Sequence, residues 1–183
     1  MNGFNHNLES GQEMTISAGQ GQLRSIAYFL PFAIIFSLAF YLIWPERFSS
    51  ENYKAAFPSG TTGIVALVAV MIGGVIVHEL IHGITWSRFA TNGFRSIRFG
   101  ILWKSMTPYC HCKEPLKVRD YQLGAAAPGV ILGIIPALIA LFTGNILWLA
   151  FALFFTMAAS GDLLIILMLR NLDPSSLVQD HPS

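Results

Sequence analysis

The stretch TTGIVALVAVMIGGVIVHELIHGITWSRF, residues 61–89, decides the fold of this chain. Crossing the hydrocarbon core of a bilayer takes about 20 apolar residues wound as a helix. From Ala55 to Val77 there is no formal charge, so the segment reads as a membrane span. Its C-terminal third then carries His78-Glu79-Leu80-Ile81-His82. Two His four apart lie on one helix face, where both imidazoles can hold one Zn²⁺, and the Glu between them suits a general base. H-E-x-x-H arises by accident in well under about one chain of this composition in a hundred. An acidic side chain at such depth costs ~2.5–3.5 kcal/mol on insertion scales, and is kept where it faces a cavity and has a task. A polar cluster that only bonds helices together is the plainer alternative.

Working outward, the rest of the chain has the same character. Of its 183 residues, 54% are hydrophobic and 11% charged, with a mean hydropathy of +0.56. Soluble domains carry about 25% charged residues, so this chain cannot coat itself for water. A net charge of +1 gives no reason to expect a nucleic-acid partner. Cys110 and Cys112 are too close in sequence for a good disulfide, and no oxidising compartment is implied. The first 25 residues are polar and show no hydrophobic core of a cleaved signal peptide.

Four transmembrane helices are expected, in an all-α membrane protein with a small cytoplasmic β-hairpin-like loop. The first span covers residues 25–45, with Pro31 near its start, and the second residues 61–89. From Tyr121 to Leu169 the only charged residue is Asp162. That stretch is too long for one helix, and Thr143-Gly144-Asn145 is a turn signal. It divides into a third span, residues 123–142, bent by Pro136, and a fourth, residues 146–169. Residues 1–24 form a polar N-terminal cytoplasmic segment, residues 25–170 the membrane domain, and residues 171–183 a cytoplasmic C-terminal tail.

In the loop after the second span, Ile97, Phe99, Ile101 and Trp103 alternate with Ser96, Arg98, Gly100 and Lys104. This period of two predicts a β-strand, turned by residues 105–108 and answered by a partner strand over residues 109–118. The same loop holds seven basic residues: Arg88, Arg95, Arg98, Lys104, Lys113, Lys117 and Arg119. The opposite side holds only Arg47 and Lys54. The positive-inside rule therefore places the loop and both termini in the cytoplasm.

Catalytic zinc takes three protein ligands and a water. Candidates for the third ligand are His111, Cys110, Cys112, Glu114, Asp120, Asp162 and His181. Depth favours Asp162. Counted from Arg88 and Arg170 as cytoplasmic helix ends, His82, His78 and Asp162 lie roughly 9, 15 and 12 Å in, at 1.5 Å per residue. A proton-moving or helix-bonding Asp162 is the alternative. Cys110-His111-Cys112 with Glu114 is a weaker second metal pattern, and ordinary reduced thiols in a cytoplasmic loop explain it.

Together, H-E-L-I-H-G on an early helix, the basic loop, Ala127-Pro128-Gly129 and Ser160-Gly161-Asp162 resemble the site-2-type intramembrane zinc metalloproteases. The arrangement is closer still to the small bacterial membrane proteins grouped as putative zincin peptidases, whose H-C-x-E-P, S-G-D and D-H-P patterns are matched by His111–Pro115, Ser160–Asp162 and Asp180-His181-Pro182. The resemblance runs from about Thr62 onward. It implies Zn²⁺ held by His78, His82 and Asp162, with Glu79 as catalytic base. The chain departs from the site-2 pattern in placing Gly161 before the Asp and in having no Asn between Gly93 and Phe142.

The expected activity is zinc-dependent hydrolysis of peptide bonds in a membrane-tethered or membrane-embedded protein, by an integral protein of a bacterial cell membrane whose other partner is the lipid bilayer. A non-proteolytic metal-binding or metal-transporting membrane protein is the alternative, although such a protein needs no Glu beside the first His. A haem-binding bundle is a further one, although two His on one face suit a small ion better.

Overall fold

The computed structural model describes residues 18–57, 59–103 and 107–179. They form a mostly helical chain in the order α1 (Ala18–Ile43), α2 (Ser50–Ala56), α3 (Gly60–Ser87), β1 (Ile97–Leu102), β2 (Thr107–Cys112), β3 (Leu116–Lys117), α4 (Val118–Pro128), a π-helical stretch (Gly129–Ile134), α5 (Ile135–Thr143), α6 (Ile146–Ala158), α7 (Ser160–Leu169) and β4 (Leu177–Val178). Among the described residues, three helices are long and apolar enough to cross a membrane: residues 20–43, 60–87 and 118–143. The fourth expected span is broken. α6 and α7 meet at 44° across Ala159, where Ser160 Oγ donates to the Met157 carbonyl at 2.6 Å. A serine that bonds back to the preceding turn and a glycine at 161 both weaken helix continuity there.

Two boundaries and the position of one bend differ from the sequence reading. α1 begins at Ala18, so Pro31 lies in the helix interior, and the carbonyl four residues earlier loses its usual donor. α4 begins at Val118 instead of residue 123: its first turn takes in Arg119, which is exposed, and Asp120, which is buried and paired with Arg119. The irregularity brought by its prolines falls between them: Gly129–Ile134 winds with π geometry, after Pro128 and before Pro136.

Two small cores hold the bundle. At one end Phe40, Ala140, Ile146 and Leu149 pack together, and Trp44 Nε1 donates to the Leu141 carbonyl at 2.9 Å. Gly144, with φ 65°, ends α5 in the left-handed region, and the Trp44 ring fills the place of its missing side chain. At the other end Trp86, Ile97, Cys110, Cys112, Leu116, Val118, Tyr121, Ala125 and Leu169 form the second core. Neither cysteine is in a disulfide, and both are buried.

The hairpin is present, shifted from the expected bounds. β1 and β2 pair antiparallel from Ile97↔Cys112 to Leu102↔Thr107. The partner strand therefore starts at Thr107 and stops at Cys112. The chain then turns through Glu114, and β3 pairs with β4 near the end of the described chain. Residues 177–178 are thus a strand, held further by Val118 N–H on the Ser176 carbonyl at 2.9 Å. The alternation in β1 marks the strand, but only Ile97 is buried. Phe99, Ile101 and Leu102 stay exposed.

Candidate metal centre

α3 presents His78, His82 and Trp86 at intervals of four, a stripe facing α4 and α7. The three rings form a stack: His78 and His82 meet edge to face at 4.9 Å, His82 and Trp86 lie nearly parallel at 4.9 Å, and Tyr121 covers Trp86 at 5.0 Å. Close approach of α4 makes this possible. A Cβ on Gly124 would collide with the Trp86 ring, so the glycine brings backbone to ring. Trp86 Nε1 then donates to the Tyr121 carbonyl at 3.0 Å, and His82 Nδ1 donates to the Gly124 carbonyl at 2.9 Å. A proton on Nδ1 leaves the Nε2 lone pair of His82 for a metal.

Asp162, in the first turn of α7, completes the set. Its Oδ2 lies 3.3 Å from His78 Nε2 and its Oδ1 3.4 Å from His82 Nε2. Among the described residues, His78, His82 and Asp162 are the one group able to hold a metal ion, with their ligand atoms within 4.8 Å of one another. The depths counted along the sequence put the carboxylate level with the two rings, and in the structure it lies against both. The first turn of a helix is also where an anion is favoured, since the backbone N–H groups there lack intrahelical acceptors.

The residues fit zinc. Two imidazole nitrogens and one carboxylate are a zinc-type donor set, and tetrahedral bonds of about 2.0–2.1 Å separate ligand atoms by about 3.3 Å. The two contacts above have this separation. His78 Nδ1 is buried without a partner among the described residues, so the rest of the protein has not claimed this ring.

Glu79 lies beside this set, half-buried, within electrostatic reach of His82, His78 and Asp162, and the Cys110 backbone N–H donates to its carboxylate. The hairpin therefore touches the H-E-x-x-H helix at its Glu. Gly83 explains the contact: Phe99 and Ile97 occupy the space a side chain there would need.

The other candidate ligands go elsewhere. Glu114 accepts from Thr91 N–H at 2.7 Å, Asn92 Nδ2 at 2.5 Å and Ser96 Oγ at 2.6 Å. The Ser96 and Asn92 bonds lower its pKa to about 2. It ties the turn after α3 to the turn after β2. Asp120 pairs with its neighbour Arg119 at 3.2 Å. Cys110, His111 and Cys112 are buried in or beside the hairpin core, outside the metal group. His181, with Asp180 and Pro182, lies outside the described residues. Sequence reading missed Trp86, the Gly124 carbonyl and the Cys110 N–H. The four-residue spacing of His78, His82 and Trp86 was the available signal for the first, but backbone donors and acceptors leave no trace in residue type.

A family model described as "Putative zincin peptidase" matches residues 71–177, more than half of the chain and the whole of this site. The chain belongs to that family. No curated protein and no solved structure matches it. Zincin membership suggests a zinc metallopeptidase and implies zinc as its metal, in accord with the donor set of His78, His82 and Asp162.

Proposed function

We propose that this zincin-family protein is a multi-pass membrane peptidase that hydrolyses a peptide bond within or beside the bilayer, in the manner of site-2-type proteases. Its proposed ligands are His78, His82 and Asp162, and Glu79 is its general base. One observation carries the reading: the Asp162 carboxylate lies against the Nε2 atoms of both histidines, while His82 Nδ1 is committed to a backbone carbonyl. A cluster that only joined helices would not need both ring nitrogens arranged this way.

Zinc, when bound, supplies Lewis acidity that polarises a scissile carbonyl and acidifies water. Glu79 accepts the proton as that water attacks, then returns it to the leaving amine nitrogen as the C–N bond breaks. The Cys110 N–H holds the Glu79 carboxylate beside the three proposed ligands. The half-exposed β1 strand, paired on one edge only among the described residues, offers backbone donors and acceptors to a substrate drawn out as a strand. A helical substrate must unwind first, since its own hydrogen bonds shield the scissile bond.

Membrane placement is supported by the bare apolar flanks of α1 and α3, where Ile34, Ile35, Leu38, Ile64, Val65, Val68 and Ile72 are all exposed. Contiguous apolar surface of this extent needs a cover, and hydrocarbon fits helices of this length. The seven basic residues of the 88–119 loop support a cytoplasmic hairpin, with the near end of the site on the same side.

Glu79→Gln tests the chemistry. The amide has the same shape but cannot accept the proton. With a membrane-tethered reporter, cleavage should fall by ~10²–10⁴-fold, with zinc content unchanged. Undiminished cleavage would remove Glu79 from the reaction.

A further inference from the structure

Pro128 lies four residues after Gly124 in the helix that faces the two histidines. In an α-helix the Gly124 carbonyl would accept the N–H of residue 128, and proline has none. The next N–H along, that of Gly129, donates to Ala126 instead. The Gly124 oxygen is therefore open to a donor from outside its own helix, and His82 Nδ1 lies 2.9 Å away. Tyr121 offers the internal comparison. Its carbonyl, one turn earlier, also receives a ring N–H from α3, but residue 125 is an alanine with an N–H of its own to share it. Both Gly124 and Pro128 are buried, Pro128 completely, so water cannot compete at this carbonyl.

We propose that Pro128 is a positioning residue for the metal centre: by withholding an N–H, it reserves the Gly124 carbonyl for His82 and so turns His82 Nε2 toward Asp162 and the metal. The inference rests on His82 being a zinc ligand. An acceptor with no intrahelical donor takes a shorter, better-directed bond from the imidazole. Outer partners of this kind set the orientation and basicity of a ligating ring, and their loss weakens metal affinity by ~10–100-fold.

The test uses the full chain in detergent, with Zn²⁺ and Co²⁺ affinities read by competition against a chelator. Pro128→Ala restores the N–H. Pro128→Val restores it while refilling most of the buried volume, which separates the N–H from packing. Both should bind metal ~10–100-fold more weakly, whereas Pro136→Ala, in the same helix but away from the site, should bind as wild type does. In the Co²⁺ form the His82 Nδ1 proton, shifted far from the ordinary NMR range, should exchange with solvent faster in both Pro128 variants. Wild-type affinity and exchange in Pro128→Val would overturn the inference, as would equal weakening by Pro136→Ala. His82→Ala and Asp162→Ala are measured alongside. If both keep wild-type affinity, the metal is held elsewhere and the reading beneath the inference falls with it.

Discussion

Phe99 places the tip of its ring where a side chain on Gly83 would have to stand. One residue past the second histidine of α3, the hairpin thus rests directly on backbone. This contact sets the height of β2 over the helix, and with it the reach of the Cys110 N–H to Glu79. Gly83→Val should push the hairpin off its seat. Overpacking of this kind costs ~1–3 kcal/mol. The loss should fall on cleavage and on amide protection of residues 97–112 in hydrogen exchange, with the zinc content kept. Unchanged protection of β2 would show that the hairpin does not depend on this seat.

The metal centre should hold one zinc per chain. Elemental analysis of purified protein should find it lost in His78→Ala, His82→Ala and Asp162→Ala, since two remaining ligands make a poor site. Glu114→Ala should retain it, because that carboxylate is engaged with Thr91, Asn92 and Ser96. The reverse pattern would move the site into the loop.

Glu114 also makes a prediction in pH. Its pKa is about 2 in the folded chain against an ordinary 4.5. A depressed carboxylate adds stability that is fully present above its unfolded value and is lost as pH falls through the folded one. The loop over residues 91–96 should therefore loosen as pH is lowered from about 4.5 toward 2, seen as a falling protection of the Thr91 amide relative to its intrinsic exchange rate at each pH. In Glu114→Gln the same amide should be poorly protected at every pH in that window. A wild-type Thr91 amide that stays equally protected at pH 2 would remove Glu114 as its anchor.

Topology can be read with introduced thiols. Cys110 and Cys112 are 8% and 1% exposed, too little for a surface reagent. Lys113→Cys, on the exposed turn after β2, should resist an impermeant thiol reagent in intact cells and react once they are opened. Glu51→Cys, at the far end, should react in intact cells. Exchange of the two results would put the hairpin outside and invert the proposed orientation.

Much of this architecture was legible in the sequence, and the gaps have physical causes. Hydropathy marks where helices run, so the helices over residues 60–87 and 118–143 stand out. It is blind to a break that costs no polarity, and the 44° bend at Ala159 falls among alanine, serine and glycine. The alternation of Ile97, Phe99 and Ile101 marked β1, but β3 and β4 are two residues each and pair across some 60 positions, beyond any local pattern. Asp162 could be placed beside His78 and His82 by counting rise per residue, because straight helices convert sequence distance into depth. The contacts that orient the site could not. His82 depends on a carbonyl, Glu79 on an amide, and every residue type carries both.

The burial of Cys110 and Cys112 bears on how an inhibitor profile of this protein should be read. Peptidases are commonly sorted by the reagents that stop them, and a thiol-alkylating reagent that inactivates is taken to mark a cysteine nucleophile. Here the sulfur atoms lie inside the core under β2, on the strand whose backbone steadies Glu79. Alkylation has to wait for the strand to lift, so its rate measures how often the hairpin opens. Once modified, the strand cannot settle back. Slow, complete inactivation by such a reagent would thus be the signature of a breathing loop, and zinc would still be in place.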